Sequence, residues 1–577
     1  DIKYTDCFVY DRNLTYMMPC VAKGDQVFLQ HADKLALSLD RQVFIQQWRT
    51  FVSTPIPDLP FAAFDIEAFT SEETKPDVEE AKQPITAASL VSPTERKVLL
   101  LSELHDERAL CEQIWKMLKP YNLIITFFGD EFDLPYFANR CKKLDLSFWR
   151  EIYIDRGKGY RIKQSFIRDK VHLDIFKFFD NGSIRQYAYK GLYDTYPSLE
   201  ELSQTFLGRG KAGDRERIAE MSPQELATYC LEDSQLTFEL AKKAWPLMCL
   251  LSRICRMPLR EICRQSIGSY DRSLYYAELR KLEWLIPSIE DLRFKNQQFT
   301  DFQKDSLSGG FVFPPIEGFH EKVFKIDAGS HYPSIVDRYN IGPDSVFCFH
   351  SECKINTVPY HGYHICTKIR SPLSIIVGTL KDVRIDVKHH PENYTGIPTS
   401  EVQGALKVLL NSISGVFGQE KNESLYVRMV YEAITAYGRD ILIKGADLCR
   451  SHGISVLGGD TDSLFLGNTD MSTVELAMQE IQDKFGASME LENEFRYFVI
   501  HAKKNYLGVS VNGEVETKGL LGKKKHVPWF IRRTFNDITD ILKAVQTKEQ
   551  FSEAKDKIED IVKERIAFLR SKSVPLE

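Results

Sequence analysis

Two short apolar runs flank a pair of aspartates in the stretch ISVLGGDTDSLFLG, residues 454–467. The runs Ile454–Leu457 and Leu464–Leu466 are typical of buried strands, and the Gly-Gly-Asp-Thr-Asp-Ser segment between them is typical of a tight turn. The pattern therefore predicts a β-hairpin with Asp460 and Asp462 at its tip.

A third aspartate ends another predicted strand, Val323-Phe-Lys-Ile-Asp327. If that strand and the hairpin meet in one sheet, Asp327 and the hairpin carboxylates would form a site for two divalent ions. Two such ions clamp the attacking and leaving oxygens of a phosphoryl displacement. The sequence alone leaves open whether these residues meet.

Between these acidic stretches the sequence predicts an antiparallel helical hairpin. Ser371-Pro372 begins one helix, Ser400-Glu-Val-Gln403 has capping-box spacing at the start of another, and the polar loop 389–399 joins them. Cations facing each other would suit a triphosphate, whereas a solvated basic face is the alternative. The candidates are Lys381, Arg384 and Lys388 on one face of the first helix, with Lys407 and Asn411 one turn apart on the second.

A second set of carboxylates lies nearer the start of the chain. Asp65 and Glu67 are two apart on a predicted strand and therefore point to one face. Asp133 follows a second apolar strand, and Asp233 lies one helical turn after Tyr229. These four carboxylates could hold two divalent ions, and Tyr229 could orient an attacking water. The alternative for each acid is an exposed surface residue or a helix cap.

The 577 residues correspond to roughly four domains. Hydrophobic residues make up 43% and charged residues 27%, which excludes a disordered or collagen-like chain. Since no apolar run approaches the roughly 20 residues that span a bilayer, we expect no membrane association. The 12 cysteines include no C-x-x-C pair. We therefore expect a reduced intracellular protein, cytoplasmic or nucleoid-associated, without a structural zinc site.

The net charge of −6 conceals a basic segment from Lys503 to Arg533. Eight basic residues face only Glu514 and Glu516 there, which gives this segment a charge of +6. Such a segment on an acidic protein favours a polyanion-binding surface, and a solvated charged loop is the alternative. Its basic members include Lys504, Lys523, Lys524 and Lys525.

The residues of the second half resemble the motifs of family B DNA polymerases. Asp327-Ala-Gly-Ser-His-Tyr-Pro-Ser-Ile335 resembles motif A, and Lys407-Val-Leu-Leu-Asn-Ser-Ile-Ser-Gly415 resembles motif B. Gly459-Asp-Thr-Asp-Ser463 matches motif C, and Lys504-Asn-Tyr506 matches the K-x-Y motif.

The first half resembles the proofreading exonuclease of the same family. Asp65-Ile-Glu67 resembles its first motif, Phe132-Asp133 belongs to its second, and Tyr229-Cys-Leu-Glu-Asp233 resembles its third. All seven motifs appear in family order over about residues 61–510. The resemblance implies a mixed α/β and α+β multidomain fold, with an RNase H-like exonuclease domain and a right-hand polymerase of palm, fingers and thumb.

The resemblance also implies roles for single residues. Asp327 and Asp462 would bind the two polymerase metals with Asp460 assisting, and Asp65, Glu67, Asp133 and Asp233 would bind those of the exonuclease. The metal would be Mg²⁺, for which Mn²⁺ could substitute. Tyr332 would reject the 2′-hydroxyl of a ribonucleotide. The incoming dNTP would bind at Ser330, Tyr332, Arg384, Lys388, Lys407 and Asn411, and the primer end at Lys504 and Tyr506, with Lys523, Lys524 and Lys525 along the duplex.

Four positions depart from the family pattern. Ser414 and Gly458 replace the usual tyrosines of motifs B and C, Leu307 stands where a tyrosine precedes Gly309-Gly310, and Phe128 replaces an asparagine of the second exonuclease motif. Ser and Gly would leave open space beside the nascent pair and the primer terminus. We therefore expect tolerance of mismatched or damaged ends, and an exonuclease whose strength depends on Phe128.

Motif spacing indicates a compact archaeal or viral type that extends a nucleic-acid primer. Asp327 to Asn411 spans 84 positions and Asn411 to Asp460 spans 49, which leaves little room for the insertions of protein-primed relatives. The final segment shows no clamp-binding motif, so a sliding clamp or accessory subunits stay open as partners. The predicted organisation is an N-terminal β-rich region (1–60), the exonuclease domain (61–245), a connector and palm (246–370), the fingers hairpin (371–424), the rest of the palm (425–528) and a short thumb (529–577).

The sequence thus predicts a DNA-directed DNA polymerase with 3′→5′ exodeoxyribonuclease activity. Its substrates would be primer–template DNA and dNTPs. One alternative is a nuclease whose polymerase half only grips DNA, and another is an inactive structural module. Both require lost carboxylates, whereas Asp327, Asp462 and the four exonuclease acids are all present.

Overall fold

The computed structural model describes residues 20–21, 30–31, 41–69, 76–157, 162–211, 220–300, 310–519 and 527–571. The chain forms two compact units. The first comprises residues 1–287 and 379–416, and the second comprises residues 288–378 and 417–577. Among the described residues, no helix combines the length and the apolar character needed to cross a membrane.

In the N-terminal region the structure describes two short strands and one longer helix. Strands β1 (Cys20–Val21) and β2 (Gln30–His31) pair antiparallel. Helix α1 (Arg41–Ser53), which the sequence pattern did not predict, buries Trp48 and Phe51. The buried guanidinium of Arg253 donates to the Phe51 carbonyl at 2.6 Å, which fixes the end of this helix. Most described residues of this region are therefore helical.

The first unit contains a five-stranded sheet in the order β5-β4-β3-β6-β9. The central strand β3 pairs antiparallel with β4 and parallel with β6, which in turn pairs parallel with β9. The strands β3, β4 and β6 are mostly apolar and buried, as expected when both faces of a sheet are covered, and the acidic residues of β3 are Asp65 and Glu67. The strands are β3 (Ala62–Ala68), β4 (Ile85–Val91), β5 (Arg96–Leu100), β6 (Leu123–Thr126), β9 (Val171–Asp174) and a separate hairpin of β7 (Ile152–Arg156) and β8 (Ile162–Ile167).

The longest helix of this unit begins at the predicted residue. Ser222 accepts from the Glu225 amide, and the Glu225 carboxylate accepts from the Ser222 amide at 2.8 Å, so the predicted capping box is confirmed. The helix packs along β3 and β4 and presents Tyr229 and Asp233 to the sheet. The helices are α2 (Leu101–Leu104), α3 (Glu107–Leu118), α4 (Asp133–Lys143), α5 (Ile175–Asp180), α6 (Leu199–Leu207), α7 (Pro223–Cys255), α8 (Leu259–Arg264) and α9 (Ile267–Lys281).

The second unit contains an antiparallel six-stranded sheet in the order β11-β12-β10-β13-β14-β15. Within this sheet β10, which carries Asp327, lies beside β12, which follows Asp462. The hairpin predicted from residues 454–467 is confirmed, since Asp460 pairs with Ser463 at its tip. The strands are β10 (Gly318–Ala328), β11 (Ser455–Asp460), β12 (Ser463–Gly467), β13 (Met489–Ala502), β14 (Asn505–Ser510) and β15 (Val515–Lys518).

Eight further helices are described after residue 288, and they include the predicted helical pair. That pair is α12, whose residues from Thr379 onward belong to the first unit, and α13, which lies wholly in the first unit. At the end of the chain, Phe551 of α17 packs on Phe319 and Tyr497 of the sheet. The helices are α10 (Ile289–Thr300), α11 (His331–Arg338), α12 (Pro372–His389), α13 (Thr399–Val416), α14 (Arg428–Ser451), α15 (Met471–Phe485), α16 (Trp529–Ala544) and α17 (Lys548–Arg570).

Candidate active sites

The three aspartates of the second unit meet at one end of its sheet. Asp327 pairs with Ser463 across β10 and β12, and the Ala328 amide donates to the Asp462 carbonyl at 2.8 Å. The hairpin tip is held by the Thr461 amide, which donates to the Phe311 carbonyl at 2.9 Å. The structure therefore brings together the strand-end and hairpin carboxylates whose meeting the sequence left open.

Negative charge accumulates at this end, which we call the carboxylate edge (Asp327, Asp460, Asp462, Glu490 and Glu492). Burial first, and then the charges of Asp462, Glu492 and Glu490, raise the pKa of Asp327 to about 7. Burial and the charge of Asp460 likewise raise the pKa of Asp462. A cluster of carboxylates that resists ionisation without added positive charge has the donor chemistry of a divalent-cation site.

Strand β13 supplies two carboxylates that the sequence patterns did not reveal. Glu490 pairs with Asp327, and Glu492 forms an ion pair with Lys325 at 2.9 Å. The alternation Glu490-Leu-Glu492-Asn-Glu494 could have indicated a strand with one acidic face, but nothing in it identifies its neighbour in the sheet. Strand β13 lies beside β10 through a long-range pairing. The contact between their carboxylates therefore could not be predicted from the sequence.

The two residues of the K-x-Y motif contact this edge differently. The Lys504 ammonium lies 3.0 Å from an Asp460 carboxylate oxygen. The Tyr506 hydroxyl donates to Glu516 at 2.7 Å, and Lys325 forms an ion pair with the same carboxylate at 2.6 Å. Tyr506 is buried and Lys504 is half exposed. In this structure Tyr506 therefore supports the sheet, while Lys504 is available at its edge.

Tyr332 lies at the start of α11, between α14 and the carboxylate edge. Burial and the charges of Asp462 and Asp460 contribute to a pKa of about 12 for its hydroxyl. A Cβ at Gly438 of α14 would lie 3.2 Å from Tyr332 Cε1, so the absence of a side chain there lets the ring approach the helix closely. Ser330 begins the same turn with left-handed backbone, φ 52°.

The open space expected at Gly458 is not found. A Cβ on this residue would point towards Ile500, Phe465 and Pro315, with contacts of 3.5 to 3.9 Å. The register of β11 against β12 shifts between Val456 and Gly458, and this bulge turns Gly458 towards the buried side of the sheet. The expectation of open space came from the missing tyrosine side chain alone, and it did not include the side chains of Phe465 and Ile500 that lie within contact distance on that side.

The cations of the helical pair lie in the first unit. Burial first, then the charges of Arg384 and Lys190, lower the pKa of Lys407, so these three cations lie near one another. Gln403 of α13 donates to the Arg384 carbonyl at 2.8 Å and ties the two helices together. Lys190, which follows the π-helical turn 184–188, was not predicted, because nothing in its local sequence distinguishes it from a surface lysine. Of the remaining candidates, Lys388 is exposed, and Lys381 and Asn411 are half-buried.

The exonuclease candidates also meet. Ligand oxygens of Asp65, Glu67 and Asp233 all lie within 4.8 Å of one another. Asp133, at the start of α4, accepts from the Ile66 amide of β3 at 3.0 Å. Burial and the charges of Asp133, Glu67 and Asp233 raise the pKa of Asp65 well above its usual value. The predicted strand and helix placement thus produces a second oxygen-rich cluster with the donor chemistry of a divalent-cation site.

A lysine that was not predicted from the sequence faces this second cluster. The Lys211 ammonium lies 2.5 Å from Asp233 and 3.5 Å from the Tyr229 hydroxyl. Together with Asp65, Glu67 and the aromatic residues 127, 128 and 176 it lines a cavity of about 500 Å³. Lys211 lies in an irregular loop, and its sequence neighbourhood carries no pattern that could have identified it.

Phe128 lines this cavity, and its backbone conformation is strained. Its φ is 70°, in the left-handed region that asparagine tolerates much better than phenylalanine. The Phe128 amide donates to Asp174 at 2.9 Å, and its ring packs edge-on against Phe176 with a centroid distance of 5.1 Å. Phe128 therefore has a backbone conformation that is strained for an aromatic residue, and its ring forms part of the cavity lining.

Several residues that the sequence singled out lie where the structure gives no description. Leu307 and the basic residues Lys523, Lys524 and Lys525 lie outside the described residues, as does the side chain of Ser414. Their predicted roles stay predictions.

Comparison with known proteins agrees with the two clusters. The model of DNA polymerase family B matches residues 276–577, and the model of the family B exonuclease domain matches residues 1–190. The chain therefore belongs to DNA polymerase family B, and it is a DNA polymerase with a 3′→5′ exonuclease domain. Catalysis in such enzymes depends on metal ions. The oxygen ligands of both carboxylate clusters are suitable for binding such ions.

Several similar proteins are archaeal. DNA polymerase 1 of Sulfurisphaera ohwakuensis is 30% identical over 626 residues, an alignment that covers 100% of this chain and 71% of that protein. DNA polymerase 1 of Saccharolobus solfataricus is 30% identical over 636 residues, with 100% and 70% coverage. The solved family B polymerase of Pyrobaculum calidifontis shares the fold, with a TM-score of 0.67 and 19% identity over 100% of this chain and 73% of that chain.

Proposed function

We propose that the carboxylate edge catalyses template-directed extension of a nucleic-acid primer. The observation that carries this proposal is the meeting of Asp327 with the hairpin aspartates at one end of the sheet. Asp327 and Asp462 would hold two Mg²⁺ ions with Asp460 assisting. When bound, these ions supply charge stabilisation to the attacking and leaving oxygens. The reaction is attack of the primer 3′-hydroxyl on the α-phosphate of a dNTP, with pyrophosphate leaving.

We further propose that the cations of α12 and α13 bind the triphosphate of a dNTP. Arg384, Lys388 and Lys407 would bind its phosphate oxygens, since guanidinium and ammonium groups pair well with phosphate. Asn411 and Ser330 would add polar contacts. After burial, the charges of Arg384 and Lys190 contribute to the lowered pKa of Lys407, and clustered cations of this kind favour an anion among them.

Tyr332 would exclude ribonucleotides by contact with the 2′-hydroxyl. Its position beside Asp460 and Asp462, against a helix that carries Gly438, supports the assignment. Because the ring packs closely against α14, it has little freedom to move. The 2′-hydroxyl of a ribonucleotide would therefore clash with it.

In the first unit we propose 3′→5′ removal of nucleotides from DNA. Asp65, Glu67, Asp133 and Asp233 would hold the metal ions, and Tyr229 would orient the attacking water. Lys211 would balance the charge of Asp233 and of a phosphate in the cavity. The close approach of three of the carboxylates supports this proposal.

Lys504 and the basic segment Lys503–Arg533 would contact the DNA backbone, as sequence-independent electrostatic binding requires. We place the enzyme inside the cell, with the DNA. The two weaker alternatives, a nuclease with a DNA-gripping half and an inactive module, would both require carboxylates to be lost from an edge that here retains them.

The proposed mismatch tolerance depends on Ser414, because neighbouring atoms already lie within contact distance of the Cβ position of Gly458. In an exonuclease-deficient background, Ser414→Tyr should lower the efficiency of mismatch extension. Unchanged discrimination in a folded variant would reject this part of the proposal.

One assay separates the two activities. A labelled primer–template is incubated with Mg²⁺, with and without dNTPs. We expect longer products with dNTPs and shorter products without them. Absence of template-dependent extension by a folded, DNA-binding preparation would reject the polymerase proposal.

A further inference from the structure

Three cysteines and a histidine cluster in the chain segment between α11 and α12. Cys348, His350, Cys353 and Cys366 each offer one ligand atom, and all four atoms lie within 4.8 Å of one another. His350 Nδ1 lies 3.4 Å from Cys366 Sγ. In a tetrahedral zinc site with bonds of about 2.3 Å to sulfur, ligand atoms are about 3.8 Å apart. The observed cluster is therefore close to the size that a zinc ion requires.

Backbone pairing brings the two arms of this cluster together. The Phe347 amide donates to the His364 carbonyl at 2.7 Å, and the Cys366 amide donates to the Ser345 carbonyl at 2.8 Å. The short 3-10 helix Ser351–Ile355 then turns Cys353 back towards the first arm. The four side chains thus converge from a framework that does not depend on bonds among the sulfur atoms, and the three cysteines are free thiols.

Two backbone amides point at the sulfur atoms. The Thr367 amide donates to Cys353 Sγ at 3.3 Å, and the Ile369 amide donates to Cys366 Sγ at 3.4 Å. His364 adds a ring nitrogen 3.5 Å from Cys348 Sγ. Three thiolates around one Zn²⁺ leave a net charge of −1, and donors aimed at sulfur disperse such charge while they orient the ligands. A buried thiol that binds nothing has no need of these donors.

The segment also exposes apolar side chains that could have formed a core. Phe349 is 98% exposed and Ile355 is 90% exposed. Small lobes that direct large apolar residues outward commonly rely on a metal or disulfide cross-link for stability. Here the buried centre contains Cys353 and Cys366 instead.

We propose that Cys348, His350, Cys353 and Cys366 bind one structural Zn²⁺ ion. Three thiolates and one imidazole form a recognised zinc ligand set, and four protein ligands leave no open position for catalysis. The expectation of no zinc site came from a search for C-x-x-C pairs. The actual spacing is C-x-H-x-x-C, followed by 12 residues and the last cysteine. The site lies outside the carboxylate edge, and the proposal does not depend on the roles assigned to that edge.

The test measures zinc in the full-length protein by elemental analysis after dialysis against metal-free buffer. We expect one zinc per chain in the wild type. Cys353→Ser and Cys366→Ser should each lower the zinc content several-fold, whereas Cys449→Ser, which alters a buried cysteine of α14 outside the cluster, should retain it. Circular dichroism verifies that each variant is folded.

A second measurement does not depend on variants. After removal of zinc, the wild-type protein is titrated with Co²⁺, and thiolate-to-cobalt absorption with tetrahedral ligand-field bands should saturate at one equivalent and be abolished by added Zn²⁺. The absence of these bands, zinc content unaffected in the two ligand variants, or a disulfide among the three cysteines found by mass spectrometry of the freshly isolated protein would each overturn the proposal.

Discussion

Gly438 determines how closely the ring of Tyr332 approaches α14. An added Cβ would lie 3.1 Å from His331 Nε2 and 3.2 Å from Tyr332 Cε1, tighter than side chains normally pack. At the scale of single residues, we propose that sugar selection depends on two residues, Tyr332 and the glycine against which its ring packs.

Replacing Tyr332 by Val should raise ribonucleotide incorporation, because the smaller side chain leaves room for a 2′-hydroxyl. A pocket change of this size is worth about 1–3 kcal/mol, or roughly 10- to 200-fold in the ratio of kcat/KM values. Gly438→Ala is the comparison. This substitution displaces the tyrosine ring without removing it. The kcat/KM values for the dNTP and the rNTP should therefore both fall, while the ratio of the two values changes little. Unchanged discrimination in Tyr332→Val, measured in single-turnover experiments, would refute the gate.

The raised pKa of Asp327 predicts how stability depends on pH in metal-free protein. The folded state holds the proton up to a pKa of about 7, against 3.8 for the ordinary carboxyl group. Stability should therefore fall as pH rises from about 4 to 7, since ionisation in the folded state is penalised. After allowance for solvent screening the penalty is about 1–3 kcal/mol.

Asp327→Asn removes that penalty. With a chelator present, we expect the variant to be more stable than the wild type at pH 8 and to lose this advantage near pH 4. Added Mg²⁺ should stabilise the wild type more than the variant. Denaturant unfolding at the two pH values measures both effects, and equal stability of the two proteins at pH 8 would contradict the electrostatic account.

At the scale of elements, two adjacent glycines of β11 differ in the space available for a side chain. A Cβ at Gly459 would lie 2.7 Å from the Ser463 carbonyl oxygen and 2.9 Å from Phe313, whereas one at Gly458 would make ordinary contacts of 3.5 Å or more. Gly459→Ala should therefore displace the hairpin tip with Asp460 and lower extension at least tenfold, and Gly458→Ala should change it little. Primer-extension rates of the two folded variants test this, and equal rates would contradict it.

The elements that the sequence predicted correctly carry local patterns. The hairpin of residues 454–467 shows strand–turn–strand alternation, and α7 begins with a capping box that the structure reproduces. The bulge of β11 beside Gly458 is not indicated by any local sequence pattern. A Cβ at Gly458 would lie 3.5 Å from Ile500, a residue of β13, and a long-range contact of this kind cannot be derived from the residues near Gly458.

The same limit applies to the sites. Asp65, Glu67, Asp327 and Asp462 could be identified because they occupy strands or a hairpin turn at motif spacing. Lys211 and Glu492 could not be identified, because Lys211 lies in an irregular loop and Glu492 reaches its cluster through a long-range strand pairing. Neither position follows from the spacing of nearby residues.

At the scale of the whole molecule, the two carboxylate clusters belong to different sheets in different compact units. Asp65 and Glu67 are held by β3 in the first unit, whereas Asp327 is held by β10 in the second. Each cluster has its own supporting hydrogen bonds within its own unit. We therefore expect synthesis and degradation to be chemically independent reactions of one chain.

The most direct test of this central claim measures both activities of purified variants on one labelled primer–template. Asp327→Ala should reduce extension by several orders of magnitude and leave degradation close to that of the wild type. The double variant Asp65→Ala, Glu67→Ala should show the reverse. If either variant loses both activities while folding and binding DNA normally, or if Asp327→Ala still extends primers at a near wild-type rate, the assignment of two independent active sites is contradicted.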